Sequence, residues 1–262
     1  MEIGISVFNG MDISSIVENL KKNGVNRTFI KSDAPDFDNV MKLLHENNII
    51  CESLHAPYNR INNMWSEDDE AANEILNRLI DSVDKCAKYN IPATVVHVSS
   101  GRPMPEINEK GIKRYEYLFN YANERGVIVA LENLRYLENL DFLMNKYNTP
   151  AFCWDNGHEY CYTKGVKYLD LYANRLCVLH IHDNRCGVDT DDHLLPFEGS
   201  IDFDEVAKDL AKSGYKGTLM LEIGKNISVD GKKVYETLSD EDYISRAAES
   251  AKRLAHMVES YR

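Results

Sequence analysis

Short apolar runs alternate with segments of helical periodicity along the whole chain. The apolar runs show little of the polar alternation expected of a strand with one wet face, which is typical of strands buried on both faces in a parallel sheet. We therefore predict eight strands, at Ile3–Val7, Arg27–Lys31, Ile50–His55, Thr94–Val98, Ile128–Leu131, Ala151–Trp154, Cys177–Ile181 and Thr218–Ile223.

Apolar residues spaced three and four positions apart predict helices between these strands. One stripe runs from Ile13 to Leu20; it follows Asp12, whose side chain can cap a helix, and it ends before Gly24. Other stripes lie at Ile75–Val83, Tyr117–Ala122, Phe203–Leu210 and Ala247–Val258, with weaker ones near Glu138–Tyr147 and Val166–Asn174.

Eight strands alternating with about eight helices predict an α/β fold, a single (β/α)8 TIM barrel over residues 1–262. A doubly wound open sheet is the competing architecture. Two observations argue against it: no Gly-x-Gly-x-x-Gly turn follows the first strand, and polar residues recur at the ends of six strands rather than at one switch point. The longest predicted loop, Asp183–Ile201, has a length that is typical of functional loops.

Four of these strand ends carry groups that bind metals. Glu132, Asp155, His180 and Glu222 end the fifth to eighth predicted strands, whose carboxyl ends meet at one mouth of a barrel. Clustered buried acids repel one another unless a cation neutralises them. Three carboxylates and an imidazole suit Mn²⁺, Mg²⁺, Co²⁺ or Zn²⁺, and they leave one or two coordination positions for substrate oxygens.

His182 lies two residues beyond His180, so both rings can face the barrel interior. Spacing alone does not decide which one binds the metal, and the other is expected to contact substrate or to support a ligand. His55 and His97 end the third and fourth strands beside Glu132. They are predicted either to hold a second ion or to bind substrate hydroxyls.

A third group of candidate ligands follows the sixth and seventh strands. His158 lies three residues after Asp155, and the loop beyond the seventh strand contains the pair Asp191 and His193. Together these side chains could hold a further ion; otherwise the histidines hydrogen-bond substrate or the site carboxylates. His45 and His256 lie on predicted helices and are expected at the surface.

Five cationic residues follow site residues by three to five positions: Arg60, Arg102, Arg135, Arg185 and Lys225. They favour an anionic substrate, and the alternative is that they only offset the charge of the carboxylates. We assign Arg185 to substrate binding. The formal net charge of −12 makes nucleic acid an unfavoured partner without excluding it, and homo-oligomers remain open.

Six cysteines occur without a Cys-x-x-Cys pair, and we expect buried free thiols in a reducing cytoplasm. The first residues, MEIGISVF, lack the basic and long apolar regions of a signal peptide. No apolar stretch approaches the about 20 residues of a membrane helix. We therefore predict a cytoplasmic protein with no membrane partner.

The site motifs resemble those of the xylose isomerase-like TIM barrel superfamily over nearly the whole chain. They are ALENL with Glu132, WDNGH with Asp155 and His158, HIHD with His180, and LEI with Glu222. Resemblance to the sugar phosphate isomerase/epimerase branch implies one Mn²⁺-like ion on Glu132, Asp155, His180 and Glu222. It also implies that the two glutamates move protons and that His158 contacts substrate.

A second branch, the type IV apurinic endonucleases with three zinc ions, is similar in its nine ligands: His55, His97, Glu132, Asp155, His158, His180, Asp191, His193 and Glu222. Tyr58 in HAPY also matches the tyrosine that those enzymes press into DNA. The surroundings depart from that branch at His97-Val98-Ser99, Glu132-Asn133-Leu134 and Asp155-Asn156-Gly157-His158. The segments NRINNMW and LLPFEGSID resemble the isomerase branch instead.

These resemblances imply a metal-dependent isomerase or epimerase of a small sugar or sugar phosphate. Its expected mechanism is proton transfer through an enediolate on a metal-chelated substrate. The first alternative is a multi-zinc phosphodiesterase, and the second is a dehydratase of a sugar-acid-like substrate. A sugar-binding relic of the fold without catalysis is a further possibility.

Overall fold

A computed structural model describes residues 1–187 and 190–262 and shows the predicted barrel. All eight predicted strands are present, and each predicted end lies within one residue of the observed one. The strands are β1 (Ile3–Val7), β2 (Arg27–Lys31), β3 (Ile50–His55), β4 (Ala93–His97), β5 (Ile128–Glu132), β6 (Ala151–Asp155), β7 (Leu176–His180) and β8 (Leu219–Ile223).

Parallel pairing follows the chain order. Strands β2 to β7 form one six-stranded sheet, and β1 pairs with β8. Beyond β7, the Ile181 amide donates to the Met220 carbonyl (2.9 Å) and the Glu222 amide donates to the Ile181 carbonyl (3.0 Å). On the other side, the Ser6 hydroxyl donates to the Phe29 carbonyl at 2.9 Å. These bonds join the two sheets into a closed barrel.

Helices cover the outside of the barrel: α1 (Ile13–Lys22), α2 (Phe37–Glu46), α3 (Asp69–Tyr89), α4 (Glu109–Glu124), α5 (Glu138–Lys146), α6 (Asn156–Tyr162), α7 (Tyr168–Tyr172), α8 (Phe203–Ser213) and α9 (Asp240–Ser260). Short 3₁₀ helices at Ile61–Trp65 and Ala173–Arg175 and a small hairpin of β9 (Ser228–Val229) and β10 (Lys232–Lys233) complete these elements. Asp12 caps α1 as predicted, since its side chain accepts from the Ser15 amide at 2.9 Å. Gly24 follows this helix with φ +70°.

The apolar stripes did not predict α2 or α6. The helix α6 begins directly where β6 ends, without a connecting loop. Asp155 makes this possible because it both ends the strand and caps the helix; its Oδ1 accepts from the His158 amide at 2.7 Å. The segment predicted as Val166–Asn174 contains only the short α7 and a 3₁₀ turn.

Two apolar layers lie on the two sides of the sheet. Small side chains fill the inside of the barrel in one cluster, formed by Ala93, Val95, Ala130, Cys153 and Val178. The larger cluster packs the outward residues of the strands against the helices. Because strand side chains alternate, the next inward position after Val95, Ala130, Cys153 and Val178 falls at the carboxyl mouth.

The prediction of six free cysteines was wrong for two of them. Cys161 and Cys186 form a disulfide, whereas Cys51, Cys86, Cys153 and Cys177 are free thiols. Sequence reasoning missed the pair because the fold brings together two residues 25 positions apart. His45 and His256 are exposed, as predicted. Among the described residues, no helix combines the length and apolar character needed to cross a bilayer.

Glu159 connects α6 to β6 and α7 through hydrogen bonds. Its Oε2 accepts from the Trp154 indole at 2.7 Å and from the Tyr168 amide at 3.2 Å. The residue is buried, and burial raises the pKa of its carboxyl to about 7. The folded protein therefore holds a proton here at pH values where the unfolded chain has released it.

We expect Glu159→Gln to become increasingly stabilising as the pH rises. The native state binds more protons between the ordinary carboxyl pKa and about 7, so wild-type stability falls as the pH increases through this range. A glutamine at position 159 keeps an acceptor oxygen for these hydrogen bonds but does not ionise. The variant's unfolding free energy relative to wild type should improve by up to about 3 kcal/mol between about pH 5 and pH 8. Denaturant titrations measure it, with exposed Glu205→Gln as the control; a pH-independent difference would contradict the assignment.

Candidate metal centre

Glu132, Asp155, His180 and Glu222 converge at the carboxyl mouth of the barrel. Each contributes one atom to a group in which all ligand atoms lie within 4.8 Å of one another, and all four residues are buried. The His180 Nδ1 lies 3.2 Å from both Glu132 Oε1 and Glu222 Oε2. The four strand-end residues predicted as one group therefore form one group, and His180, rather than His182, belongs to it.

Strand register explains this convergence. Glu132 lies two residues beyond Ala130 and His180 two beyond Val178, both of which face the barrel interior. His97 is paired with Glu132 across β4 and β5, and Asp155 with His180 across β6 and β7. The period of two along the strands therefore places His97, Glu132, Asp155 and His180 directly above the last small interior residue of β4, β5, β6 and β7.

His55 and His97 surround the second oxygen of Glu132. Their Nε2 atoms lie 3.4 Å and 3.0 Å from Glu132 Oε2. This buried oxygen has no hydrogen bond of acceptable geometry within the described residues. The three side chains form a second potential metal group, as the sequence suggested.

Asp191 is the centre of a third group on the loop after β7. His158 Nε2 and His193 Nε2 lie 3.2 Å and 3.3 Å from its Oδ2. The group whose atoms all lie within 4.8 Å contains His182, Asp191 and His193, so His182 joins the expected pair.

His182 does not have the environment of a substrate contact. The ring is fully buried, with its Nε2 3.2 Å from Asp155 Oδ2, and it stacks on His193 at 4.0 Å between centroids. A Cβ on Gly157 would lie 2.1 Å from His182 Cε1, so only glycine leaves room for this ring. This environment agrees with the second of the two predicted roles, support of a ligand, and contact with substrate stays a prediction.

Several rings are held by a backbone carbonyl at Nδ1, which fixes the hydrogen on that nitrogen and the lone pair on Nε2. The Nδ1-to-oxygen distances are 2.9 Å for His55 to Ala56, 2.9 Å for His158 to Asn133, 3.3 Å for His182 to Asp183 and 3.1 Å for His193 to Glu222. In each case Nε2 faces a carboxylate. A lone pair facing an anionic oxygen is repulsive unless a proton or a cation lies between them, so this donor set fits divalent cations.

When no cation is bound, protons on the imidazole rings lie between the ring nitrogens and the carboxylate oxygens. Burial alone would raise the pKa of Glu132, but His180 and His97 hold it well below its ordinary value. Burial would lower the pKa of His180, but Cys153, Glu222 and Glu132 raise it well above its usual range. The pKa of His193 rises to about 9 because Asp191 outweighs the effect of burial. Paired charges therefore stabilise this cluster.

A cavity of about 240 Å³ opens above these ligands. Glu132, Glu222, His158 and Tyr58 are among its walls. Tyr58 is 41% exposed and stacks on His97 at 4.6 Å between ring centroids. A wider outer cavity of about 750 Å³ shares two wall residues with it, Arg135 and Tyr162.

Three of the five expected rim cations point elsewhere. Arg60 lies 3.7 Å from Glu74, and Lys225 pairs with Asp240. Arg185 pairs with Asp192 (3.1 Å) and Asp230 (2.7 Å) and lines neither cavity; its assignment to substrate binding stays a prediction. Arg102 and Arg135 do line the outer cavity.

Sequence reasoning missed the asparagines that follow two of the acids. Asn133 donates to the Asp155 carbonyl and accepts from the Asp155 amide, both at 2.8 Å. Asn156 accepts from the His182 amide at 3.0 Å. The repeated acid-Asn pair in ENL and DNG was the available signal, since each asparagine ties neighbouring strand ends together.

We expect the metal-free protein to bind Mn²⁺ more tightly as the pH rises from about 6 to about 8.5, because a cation must displace protons from His180 and His193. Each displaced proton strengthens apparent binding by up to about tenfold per pH unit below its pKa. The raised pKa of His193 also stabilises the metal-free fold below about pH 6.5, and this stabilisation is lost as the pH rises through about 9.

Calorimetric titrations in buffers of different ionisation enthalpy measure both affinity and proton release. Thermal unfolding in chelator should show a falling midpoint over the same range, and His193→Gln should flatten that fall. An affinity that declines with pH, or binding without proton release, would show that these rings are not protonated in the metal-free protein.

Comparisons with known proteins agree with this architecture. The chain is 31% identical over 200 residues to the uncharacterized protein y4fM of Sinorhizobium fredii (70% of this chain, 61% of the relative). It is 28% identical over 176 residues to the probable endonuclease 4 of Cenarchaeum symbiosum (56% and 61%). Each match spans about three fifths of the relative's length.

Solved structures show the same fold at low sequence identity. D-psicose 3-epimerase with D-tagatose from Clostridium cellulolyticum H10 superimposes with a TM-score of 0.79 at 16% identity, covering 98% of this chain and 99% of that one. The IOLI protein with a binding zinc atom gives a TM-score of 0.73 at 18% identity, covering 99% of both chains. The family described as xylose isomerase-like TIM barrel matches residues 10–254. On this match over nearly its whole length, the chain belongs to the xylose isomerase-like TIM barrel family.

Proposed function

We propose that this protein is a metal-dependent isomerase or epimerase of a sugar or sugar phosphate. The observation that carries the proposal is the pair of glutamates in one small cavity. Glu132 and Glu222 both line it, and both lie 3.2 Å from the same nitrogen of His180. Two carboxylates held around one centre suit a reaction that removes a proton and returns it nearby.

The cavity limits the size of the reacting part of the substrate. Its 240 Å³ is below the range of about 300–1,000 Å³ usual for drug-sized ligands. Besides the ligand candidates, its walls carry small polar groups at Ser99 and Ser100. A short polyhydroxylated carbon chain fits this combination of size and polarity.

A divalent ion would be held by Glu132, Asp155, His180 and Glu222, and when bound it would polarise a substrate carbonyl and its neighbouring hydroxyl. The protein's own groups account for the proton movement. The pKa values of Glu132 and Glu222 lie below their ordinary value because charged imidazoles outweigh burial, so both are ionised near neutrality. An ionised carboxylate can accept a proton from the carbon beside a carbonyl.

The surrounding side chains would orient the substrate and exclude water. His158 lines the cavity with its Nδ1 hydrogen fixed on the Asn133 carbonyl, which keeps the ring orientation constant. Tyr58 covers His55 and His97 at the mouth. The similarity in fold to D-psicose 3-epimerase supports an epimerase by analogy at the level of the fold.

We expect Glu132→Gln and Glu222→Gln each to reduce turnover by at least about 10³-fold, since general acid–base groups contribute about 10² to 10⁴. The assay follows deuterium incorporation from heavy water next to the carbonyl for a panel of ketoses, aldoses and their phosphates. Product analysis by mass separates epimerisation from loss of water, which would indicate a dehydratase.

Glu52→Gln provides the matched control. Glu52 is a partly buried strand carboxylate at the opposite mouth, paired with Arg27 and Thr218. Its replacement should leave proton exchange unchanged. Variants of Glu132 and Glu222 that bind metal and still exchange substrate protons at the wild-type rate would refute the proton-transfer role.

A multi-zinc phosphodiesterase is the second candidate, favoured by one specific observation. His55 and His97 approach the otherwise unpartnered Oε2 of Glu132, and a further group surrounds Asp191. Three ions could therefore occupy this mouth, and such a centre activates water for attack on phosphate. The match to the probable endonuclease 4 agrees with this candidate.

The number of bound ions separates the two candidates. We expect inductively coupled plasma mass spectrometry of protein purified without chelator to give one ion per chain, and a duplex with an abasic site to remain intact. Three zinc ions per chain together with nicking of that duplex would replace the isomerase proposal by the phosphodiesterase. The His55→Gln variant tests the same point, because it should lower the ion count only when a second site is filled.

A further inference from the structure

The disulfide between Cys161 and Cys186 lies beside the candidate metal centre. Cys161 is near the end of α6, the helix that also carries His158. Cys186 lies on the segment after β7 that leads to Asp191 and His193. The bond therefore connects the two elements that supply the ligands around Asp191.

Among the described residues, two further contacts near the bond join these elements. The Tyr162 hydroxyl donates to the Thr190 carbonyl at 2.8 Å, and His158 Nε2 lies 3.2 Å from Asp191 Oδ2. Both contacts lie within five residues of a disulfide cysteine. The covalent bond is thus the strongest of three neighbouring connections between helix and segment.

The base of the same segment is held separately. Asp183 Oδ1 accepts from the amides of Asn184 (2.7 Å) and Ile201 (3.1 Å), and its Oδ2 accepts from the Gly199 amide (2.7 Å). The far side of Asp191 is also held, because Asp192 pairs with Arg185 and the ring of His193 is held by the Glu222 carbonyl. Loss of the disulfide would therefore loosen the stretch around Thr190 and Asp191 without releasing either side of it.

Backbone conformation adds a reason for movement once the bond is broken. Cys186 has φ +56° and His193 has φ +49°, in the left-handed region that residues with a Cβ rarely adopt. Such conformations persist where the surrounding structure enforces them. The disulfide is one of the constraints that enforces this conformation at Cys186.

Both cysteines are also accessible to a small reagent. They are half-buried and line the outer cavity of about 750 Å³. The free cysteines Cys51, Cys86 and Cys153 are buried by contrast.

We propose that the Cys161–Cys186 disulfide is a redox-sensitive tie that controls cation binding around Asp191. A dithiol reductant transfers two electrons and two protons to the bond, so that Cys161 and Cys186 become thiols and the dithiol becomes a cyclic disulfide. Thr190 and Asp191 then separate from α6, and Asp191 leaves the ring of His158. This control rests on the proposed metal centre but requires no particular reaction of it.

Thiol counting and hydrogen exchange test the tie without any assay of turnover. Denatured protein that was oxidised with glutathione disulfide should show four reactive thiols, and dithiol-treated protein six. In the metal-free native protein, reduction should accelerate amide exchange in peptides covering 190–201 while leaving peptides from β4 and β5 unchanged. Six thiols in the oxidised sample, or equal exchange in both states, would overturn the proposal.

The Cys161→Ser/Cys186→Ser double variant allows metal affinity to be measured without the disulfide. It avoids a dithiol reductant, which would itself chelate the ion. If the freed segment is closed for about a tenth of the time, Zn²⁺ affinity measured against a chromogenic chelator should fall about tenfold. Cys177→Ser is the control, since Cys177 is a free thiol on β7 and its loss should change neither exchange nor affinity. A double variant with wild-type Zn²⁺ affinity and wild-type exchange would show that the bond does not control the segment. All these outcomes are independent of whether any sugar is turned over.

Discussion

Mutual repulsion among buried carboxylates is the constraint on which this site depends. Glu132, Asp155 and Glu222 are buried at one barrel mouth, and like charges so close are tolerated only when something neutralises them. Imidazole rings supply that neutralisation in the metal-free state, at the cost of raised pKa values at His180 and His193. The same arrangement makes the mouth ready for divalent cations, which can replace the protons.

The two sides of the centre differ in rigidity. His97, Glu132 and His180 end paired strands, so hydrogen-bonded ladders fix their positions. Asp191 and His193 instead lie on a loop held by Asp183 at its base and by a disulfide at Cys186, close to its start. Loops on a rigid barrel commonly carry the variable part of function. The Asp191 group therefore lies on the part of the mouth that the strand ladders do not fix.

The sequence predicted the strands well because each one is a short buried run bounded by polar residues. It also predicted the convergence of the four strand-end ligands, since parallel strands deliver their carboxyl ends to one mouth. It did not predict α6, because Asp155 both ends β6 and caps α6, so no loop residues separate the two elements in the sequence. The positions of His182 and Arg185 were also beyond its reach, because ring packing against Gly157 and an ion pair with Asp230 depend on tertiary contacts. The roles of the site residues in binding and catalysis stay predictions.

Glu132 links the number of cations to the kind of reaction. Its Oε1 faces His180, and its Oε2 faces His55 and His97. A carboxylate that bridges two cations has both oxygens engaged and is a poor base, whereas a carboxylate with one cation keeps an oxygen for proton transfer. The hydrogen of the His55 ring is held at Nδ1 by the Ala56 carbonyl, so its Nε2 presents a lone pair to Oε2 of Glu132, an arrangement that suits a cation between the two atoms. Occupancy of this side of Glu132 would therefore distinguish the proposed isomerase, with one ion, from the proposed phosphodiesterase, with several.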